Sequence, residues 1–160
     1  YGEILSERAE ETLETQHLSH VLCATENDFY NALVCKAQGR RFGHHRTLQM
    51  ATHQESSHEP KRLTLQQRGY IAFDAAADFE TLNQRLDEGW KIQVAELNED
   101  FGWTQLQERL GELASEWIPV CTVTPDDTLR VFSSEQALTP EKEWTVVYFA
   151  PSRPRANAAA

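Results

Sequence analysis

The run Val21-Leu22-Cys23-Ala24-Thr25-Glu26-Asn27-Asp28-Phe29-Tyr30-Asn31-Ala32-Leu33 constrains this chain more than any other feature. An apolar stretch stops at Thr25, residues with helix-capping chemistry follow, and an apolar pattern at helical spacing begins. That order is a buried strand feeding a helix, the unit of a parallel α/β sheet. Ligands of such sheets bind outside the carboxyl ends of the strands, so this turn is where a ligand would be felt. A dinucleotide site also needs G-x-G-x-x-G, because only glycine lets the backbone approach a pyrophosphate at a helix N-terminus. The seven glycines never take that spacing. The chain does not supply that cradle by itself, and within such a fold it would be the later half.

Further elements follow from pattern and punctuation. Residues 4–16 read as a helix with Ser6 as N-cap, Glu7, Glu10 and Glu11 in the first turns, and Leu5, Ala9 and Leu13 on one face. Residues 20–24 are the buried strand, and 28–38 the helix, capped by Asn27, with Phe29, Ala32, Leu33 and Ala37 facing the sheet and Gly39 and Gly43 bracketing its exit. Residues 46–51 form a second strand, and the order helix, strand, helix, strand implies a right-handed parallel crossover. The polar stretch 52–61, with two serines, two histidines, two glutamates and Pro60, is the best linker.

Beyond the linker, residues 68–73 predict a strand. Residues 78–88 predict an amphipathic helix capped by Asp78 and closed by Gly89, with Phe79, Leu82 and Leu86 inward. Trp90, Ile92 and Val94 alternate with Lys91 and Gln93 as in a half-buried strand, and 104–113 predict another helix. Strands at 118–124 and 129–133 flank Pro125-Asp126-Asp127, which is turn chemistry and makes a β-hairpin. Residues 144–150 are a final strand. The fold class is α/β followed by α+β: a partial parallel sheet over residues 1–60, a small α+β unit over 61–151, and a tail over 152–160. No internal repeat is evident.

The formal net charge is −10 and the mean hydropathy −0.58, and the fifteen Lys and Arg are scattered. A chain this acidic has no general electrostatic footprint for nucleic acid. No apolar run approaches the roughly 20 residues that cross a bilayer. The chain opens at Tyr1, and its first residues read as the end of an element, which leads us to expect an excised fragment of something longer. Cys23, Cys35 and Cys121 are odd in number and widely spaced, which fits a reduced setting and small buried hydrophobes.

Several clusters have residue types suited to chemistry. Gly2-Glu3 precedes the first helix, and its carboxylate could accept from a ribose or an adenine; a helix-start acid is the plainer reading. Thr25, Asn27 and Asn31 surround the strand-to-helix turn, where a hydroxyl and the free N–H groups of the helix could meet an anion; capping alone also explains Asn27. His44, His45, His53 and His58 lack the tight spacing of structural zinc and read as a solvated loop. Asp126 and Asp127 sit at a hairpin tip, where turn formation outweighs acid–base chemistry. No catalytic set and no metal set is recognisable. Trp90, Trp103, Trp117 and Trp144 read as anchors in a core or interface.

Tyr1-Gly2-Glu3-Ile4-Leu5-Ser6-Glu7, followed by His20-Val-Leu-Cys-Ala-Thr-Glu-Asn-Asp-Phe-Tyr-Asn31, resembles the later half of the RCK (KTN, TrkA-N) Rossmann domain. In that family a strand ends in Gly-Asp, where this chain has Gly2-Glu3, and the next ends in a Thr-x-Asp-Asp-x-x-Asn-like turn. Residues 62–150 resemble the appended C-terminal region of bacterial monovalent cation:proton antiporters of the NhaP-like type, which is similar to the TrkA-C fold. The features are Arg68-Gly69-Tyr70-Ile71-Ala72-Phe73, Phe101-Gly102, Trp117-Ile118-Pro119-Val120, Leu129-Arg130-Val131-Phe132 and Trp144-Thr-Val-Val-Tyr-Phe.

The resemblance implies a non-catalytic, cytoplasmic regulatory domain of a membrane sodium or potassium/proton antiporter, on the cytoplasmic side of the inner membrane. Its partners would be the transmembrane transport domain of the same polypeptide and a second copy in a homodimer. Gly2, Glu3, Thr25, Asn27 and Asn31 would be the residual side of a site for NAD(H) or an adenine nucleotide. Two other readings stay open. One is a fragment of a soluble NAD-dependent enzyme, which would need a catalytic His or Lys in the later region, where no histidine follows His58. The other is a ligand-free oligomerisation module.

Overall fold

The structure is a computed structural model. It describes residues 18–51, 67–75, 77–113 and 116–152. The helix expected at 4–16, Gly2 and Glu3, the whole 52–61 linker with His53 and His58, and most of the tail lie outside the described residues.

The strand-to-helix reading holds at its core. Strand β1 (Val21–Cys23) leads into helix α1 (Asp28–Phe42), and β2 (Thr47–Gln49) returns parallel to β1, pairing Val21 with Thr47 and Cys23 with Gln49. Strand β3 (Tyr70–Ile71) joins the other side of β2, again parallel, so the sheet order is β1-β2-β3. Residues 70–71 were expected beyond the linker; they complete the parallel sheet. Beside them Gly69 sits so close to α1 and β2 that an added Cβ would lie 2.7 Å from Cys35 Sγ and 2.8 Å from Thr47 O. Only a residue without a side chain lets β3 approach there.

Two expectations about α1 fail. The helix does not stop at Gln38; it runs through Gly39, with Arg40 and Arg41 in the last turn where they favour the negative end of the helix dipole, and stops at Gly43 (φ 88°). Its buried face is also not Phe29-Ala32-Leu33-Ala37. The buried residues are Asn31, Ala32, Val34, Cys35, Gln38 and Gly39, while Phe29 is 76% exposed and Leu33 54%. The small cluster Cys23, Val34 and Cys35, flanked by Val21 and Tyr30, fills the space under the helix. Its small residues set a close helix–sheet packing, the absent side chain at Gly39 leaves room for the His44 imidazole, and the bulky Phe29 and Leu33 fall on the far side.

The second sheet is antiparallel, in the order β4-β7-β5-β6. It comprises β4 (Trp90–Glu96), β5 (Ile118–Val123), β6 (Leu129–Val131) and β7 (Thr145–Pro151). Helix α2 (Phe79–Asp87) precedes it, with Asp78 accepting from Thr81 N at 2.6 Å as N-cap and Gly89 (φ 87°) closing it. Helix α3 (Trp103–Leu113) lies between β4 and β5. The expected hairpin is β5–β6, antiparallel through Cys121–Val131 and Val123–Leu129. Asp126 closes it by accepting from the Thr124 and Thr128 hydroxyls, and these hydrogen bonds hold its carboxyl below the usual range.

Leu97, Leu106, Leu110, Phe132, Val146, Tyr148 and Ala150 form the main core. Trp103 stacks on Phe132 at 5.5 Å and meets Trp117 edge-on at 5.8 Å. These two tryptophans are core anchors, as expected. The alternation expected in β4 is the reverse of the one found. Ile92 is 58% and Val94 60% exposed, whereas Ala95 packs on the core and Gln93 is half-buried. Only Trp90 on the Ile92 side is covered, by Phe149 at 5.2 Å and by the Arg85 guanidinium at 4.8 Å. Strand β4 is an edge, and α2 shields one end of it; α2 itself has no fully buried residue, and Leu86, expected inward, is 55% exposed.

The two sheets meet just after β3. Phe73 N donates to Phe132 O at 2.7 Å, and Ala72 bridges Ser133. Arg68 grips both carboxylate oxygens of Glu135, and Glu135 Oε2 also accepts from Ile71 N at 2.9 Å. The Arg68 guanidinium, with the Ile71 N–H in support, holds the Glu135 carboxyl below the usual range.

Candidate functional site

Two places on the parallel sheet bear on function, one at each end of its strands. The first is the turn after β1. Thr25 Oγ1 donates to Asn31 Oδ1 at 2.7 Å, Thr25 N donates to the same oxygen at 3.2 Å, and Asn31 Nδ2 donates to Thr25 O at 2.8 Å. Asn27 N donates to Thr25 Oγ1 at 3.2 Å, and Asn27 Oδ1 caps α1 by accepting from Tyr30 N at 2.9 Å. The structure therefore brings Thr25, Asn27 and Asn31 together as a clasp. Asn31 is fully buried, and its amide makes three hydrogen bonds with Thr25. Thr25 and Asn27 are exposed at the carboxyl end of β1. Gly2 and Glu3, expected to complete this site, lie outside the described residues.

The second place lies at the amino ends of β1 and β2 and was not foreseen from the sequence. A cleft of about 760 Å³ opens between those ends and the β5–β6 hairpin. His20 comes from the residue before β1; His45 and Arg46 come from a 3-10 turn (His44–Arg46) before β2; Asp127, Thr128 and Arg130 come from the hairpin. Leu129, Val131 and Leu138, all half-buried, give it an apolar wall. Burial, helped by the positive field of Arg46 and the neighbouring His45, pushes the His20 imidazole below its ordinary value. His20 Nδ1 lies 3.0 Å from Ser19 Oγ. The Arg130 guanidinium lies over the Trp144 ring, 5.2 Å from its centroid.

A signal for half of this cleft was present in the sequence. Strands β1 and β2 are parallel neighbours, so whatever precedes each must converge, and His20 and His45-Arg46 hold those positions. Grouping His45 with His53 and His58 by sequence proximity hid this. Arg130 arrives only through the docking of the hairpin, which no local pattern announces.

The two buried thiols, Cys23 and Cys35, are neighbours beneath α1. Hydrogen bonding with Cys23, together with burial, pushes the Cys35 thiol well up, and Cys35 Sγ donates to Leu48 O at 3.4 Å. The same contact with Cys35 pushes the Cys23 thiol down, and both side chains are buried in the packing beneath α1. Among the described residues there is no group of His, Cys, Asp and Glu placed to hold a metal ion, and no helix is long and apolar enough to cross a membrane.

No family model and no curated protein matches the chain. A solved structure described as "Crystal Structure of the GsuK RCK domain" aligns over 95% of this chain at 18% identity, with a TM-score of 0.32. This chain spans about a third (34%) of the length of that one. A likeness at that TM-score carries no weight for fold or function, and what can be said of both rests on the residues themselves.

Proposed function

We propose that this chain is a non-catalytic, RCK-type regulatory module of a membrane sodium or potassium/proton antiporter. It would lie on the cytoplasmic side of the inner membrane, with the transport domain in the same polypeptide. The proposal keeps the two-unit division of the sequence, an RCK-like unit to residue 60 and a TrkA-C-like unit to 151. The observation that carries it is the junction between the sheets. The parallel sheet, at whose strand ends we place the ligand, is bonded at β3 directly to the antiparallel sheet through Phe73–Phe132 and Arg68–Glu135. A ligand that prefers one arrangement of that junction shifts the population of the whole module, by no more than its difference in affinity for the two arrangements.

The ligand we propose at the Thr25 turn is NAD(H) or an adenine nucleotide, held by Thr25, Asn27 and Asn31 together with Gly2 and Glu3. The homodimer is proposed through the outer face of α1, where Phe29 and Leu33, one turn apart, leave two large apolar side chains outside the fold. Titration calorimetry with NADH, ATP and AMP tests the nucleotide. Heat that disappears in Asn27→Ala supports it, and neither heat nor a thermal shift at millimolar nucleotide removes it. The coding sequence upstream of Tyr1 tests the antiporter, which requires a domain of several apolar spans there.

A further inference from the structure

We propose that the cleft between the amino ends of β1 and β2 and the β5–β6 hairpin is a binding site for a small organic phosphomonoester. It is separate from the nucleotide turn and does not depend on the regulatory reading, since it lies at the opposite ends of the same strands.

Charge is the first reason. The chain carries a formal −10, yet four of its basic and imidazole side chains, His20, His45, Arg46 and Arg130, line one concavity against a single carboxylate, Asp127. Arg46 is in no salt bridge among the described residues; the Arg68, Arg85 and Lys142 side chains each have a carboxylate partner. Arg130 has the Asp126 carboxylate within coulombic range at the hairpin tip, whereas Arg46 has no such partner among the described residues, and an anion seated against Arg46 supplies one.

Geometry is the second reason. Arg46 comes from the 3-10 turn before β2 and Arg130 from β6, so the one cleft is lined by two arginines that come from far apart in the chain, and guanidinium groups are suited to bind the oxygens of a tetrahedral oxyanion. The imidazoles of His20 and His45 can each donate to further oxygens. About 760 Å³ is far more than an inorganic anion needs and falls within the range of small-molecule sites. The apolar wall of Leu129, Val131 and Leu138 fits an organic body, and Asp127 can accept from a hydroxyl or amine on it. Two guanidinium and two imidazole groups offer more N–H donors than a carboxylate has oxygens to use, and they match the several oxygens of a phosphomonoester better.

The test is titration calorimetry of the whole 160-residue chain with phenyl phosphate at neutral pH and low salt, beside benzoate and phenol. The expected result is one site for phenyl phosphate, benzoate weaker by about tenfold or more, and no heat from phenol. Arg46→Gln and Arg130→Gln should each weaken phenyl phosphate about tenfold, the worth of one charged hydrogen-bond pair. Arg109→Gln, an exposed charge on α3, should leave it unchanged. Because a cleft variant could disturb docking of the hairpin, the wild-type chain supplies a second measurement: phenyl phosphate should protect Arg46 and Arg130 from phenylglyoxal, read by peptide mass spectrometry. No binding at millimolar phenyl phosphate, or equal losses in Arg109→Gln and Arg46→Gln, or modification of both arginines unaffected by the ligand, overturns the proposal.

Discussion

The parallel and antiparallel sheets solve the same problem with different materials. The antiparallel sheet has strands of up to seven residues and a core of Leu97, Leu106, Leu110, Phe132, Val146 and Tyr148 with aromatic partners around it. The parallel sheet has strands of three, three and two residues, and its interior is half polar: Asn31, Gln38, Thr47 and Gln49 are buried beside two thiols. Apolar burial is non-directional and strong in bulk, whereas a buried amide stabilises only when every partner is in place. The antiparallel sheet is thus held mainly by apolar burial, and the parallel sheet relies more on specified hydrogen bonds. The tryptophans report on the former alone, since Trp90, Trp103, Trp117 and Trp144 all lie in the later region. The Cys23 and Cys35 thiols report on the latter.

The largest effect should come from Leu106→Ala. Leu106 is 2% exposed at the centre of the main core, and truncating such a leucine costs about 2–5 kcal/mol. Chemical denaturation followed by tryptophan fluorescence should show that loss. Because β3 leans on the antiparallel sheet through Phe132, thiol reactivity should rise with it. If Cys23 and Cys35 stay protected while the tryptophans unfold, the parallel sheet stands alone and the dependence is wrong.

Asn31→Ala attacks the other side. It strands the Thr25 N–H and hydroxyl at the head of α1, and the loss of a buried amide with several partners costs about 1–3 kcal/mol. The expected signature is local: faster labelling of Cys23 and Cys35 by a thiol reagent, with the tryptophan transition nearly unmoved. Equal losses by both probes would mean that the two sheets unfold as one unit.

The Arg68–Glu135 clip joins them, and its pH dependence has a definite sign. The folded state holds the Glu135 carboxyl below its ordinary 4.5, so the unfolded chain binds the proton more readily. Stability from the clip is complete above that value and is lost as the pH falls through the lower folded one. Glu135→Gln should cost about 1 kcal/mol at neutral pH, given partial exposure, and should flatten the acid limb of the stability curve. An unchanged acid limb would assign the acid sensitivity elsewhere.

How much of this was legible in the sequence follows from the same contrast. Where bulk apolar pattern decides, as in α3, the β5–β6 hairpin and β7, spacing and turn residues located the elements. Where packing is tight or polar, pattern misled. The face of α1 was assigned to its largest apolar residues, but the sheet below it accepts only small and amide side chains, so Phe29 and Leu33 point away. In β4 the apolar residues Ile92 and Val94 suggested the inner face, but Ala95 and Leu97 set the register on the core, and an edge strand has no second layer to cover the rest. Thr25, Asn27 and Asn31 were picked out as a group, and they are one, because capping chemistry is local. The cleft was missed because its walls come from segments more than eighty residues apart.

Those misassigned side chains yield the smallest effect on stability. Phe29 and Leu33 make little use of the fold that carries them, so Phe29→Ser with Leu33→Ser should change the unfolding free energy by no more than about 0.5 kcal/mol. A pair of large apolar residues one helical turn apart, at 76% and 54% exposure, is nevertheless costly to leave in water. If they form the proposed α1–α1 interface, the double variant should sediment as a monomer at concentrations where the parent is a dimer, with both the tryptophan and thiol transitions otherwise alike. A parent that is already monomeric, or a variant that stays dimeric, moves the interface away from α1. The exposed Ile92 and Val94 on the β4 edge are then the surface to mutate, since an unpaired strand edge flanked by apolar side chains is the other place on this molecule where a second copy can add.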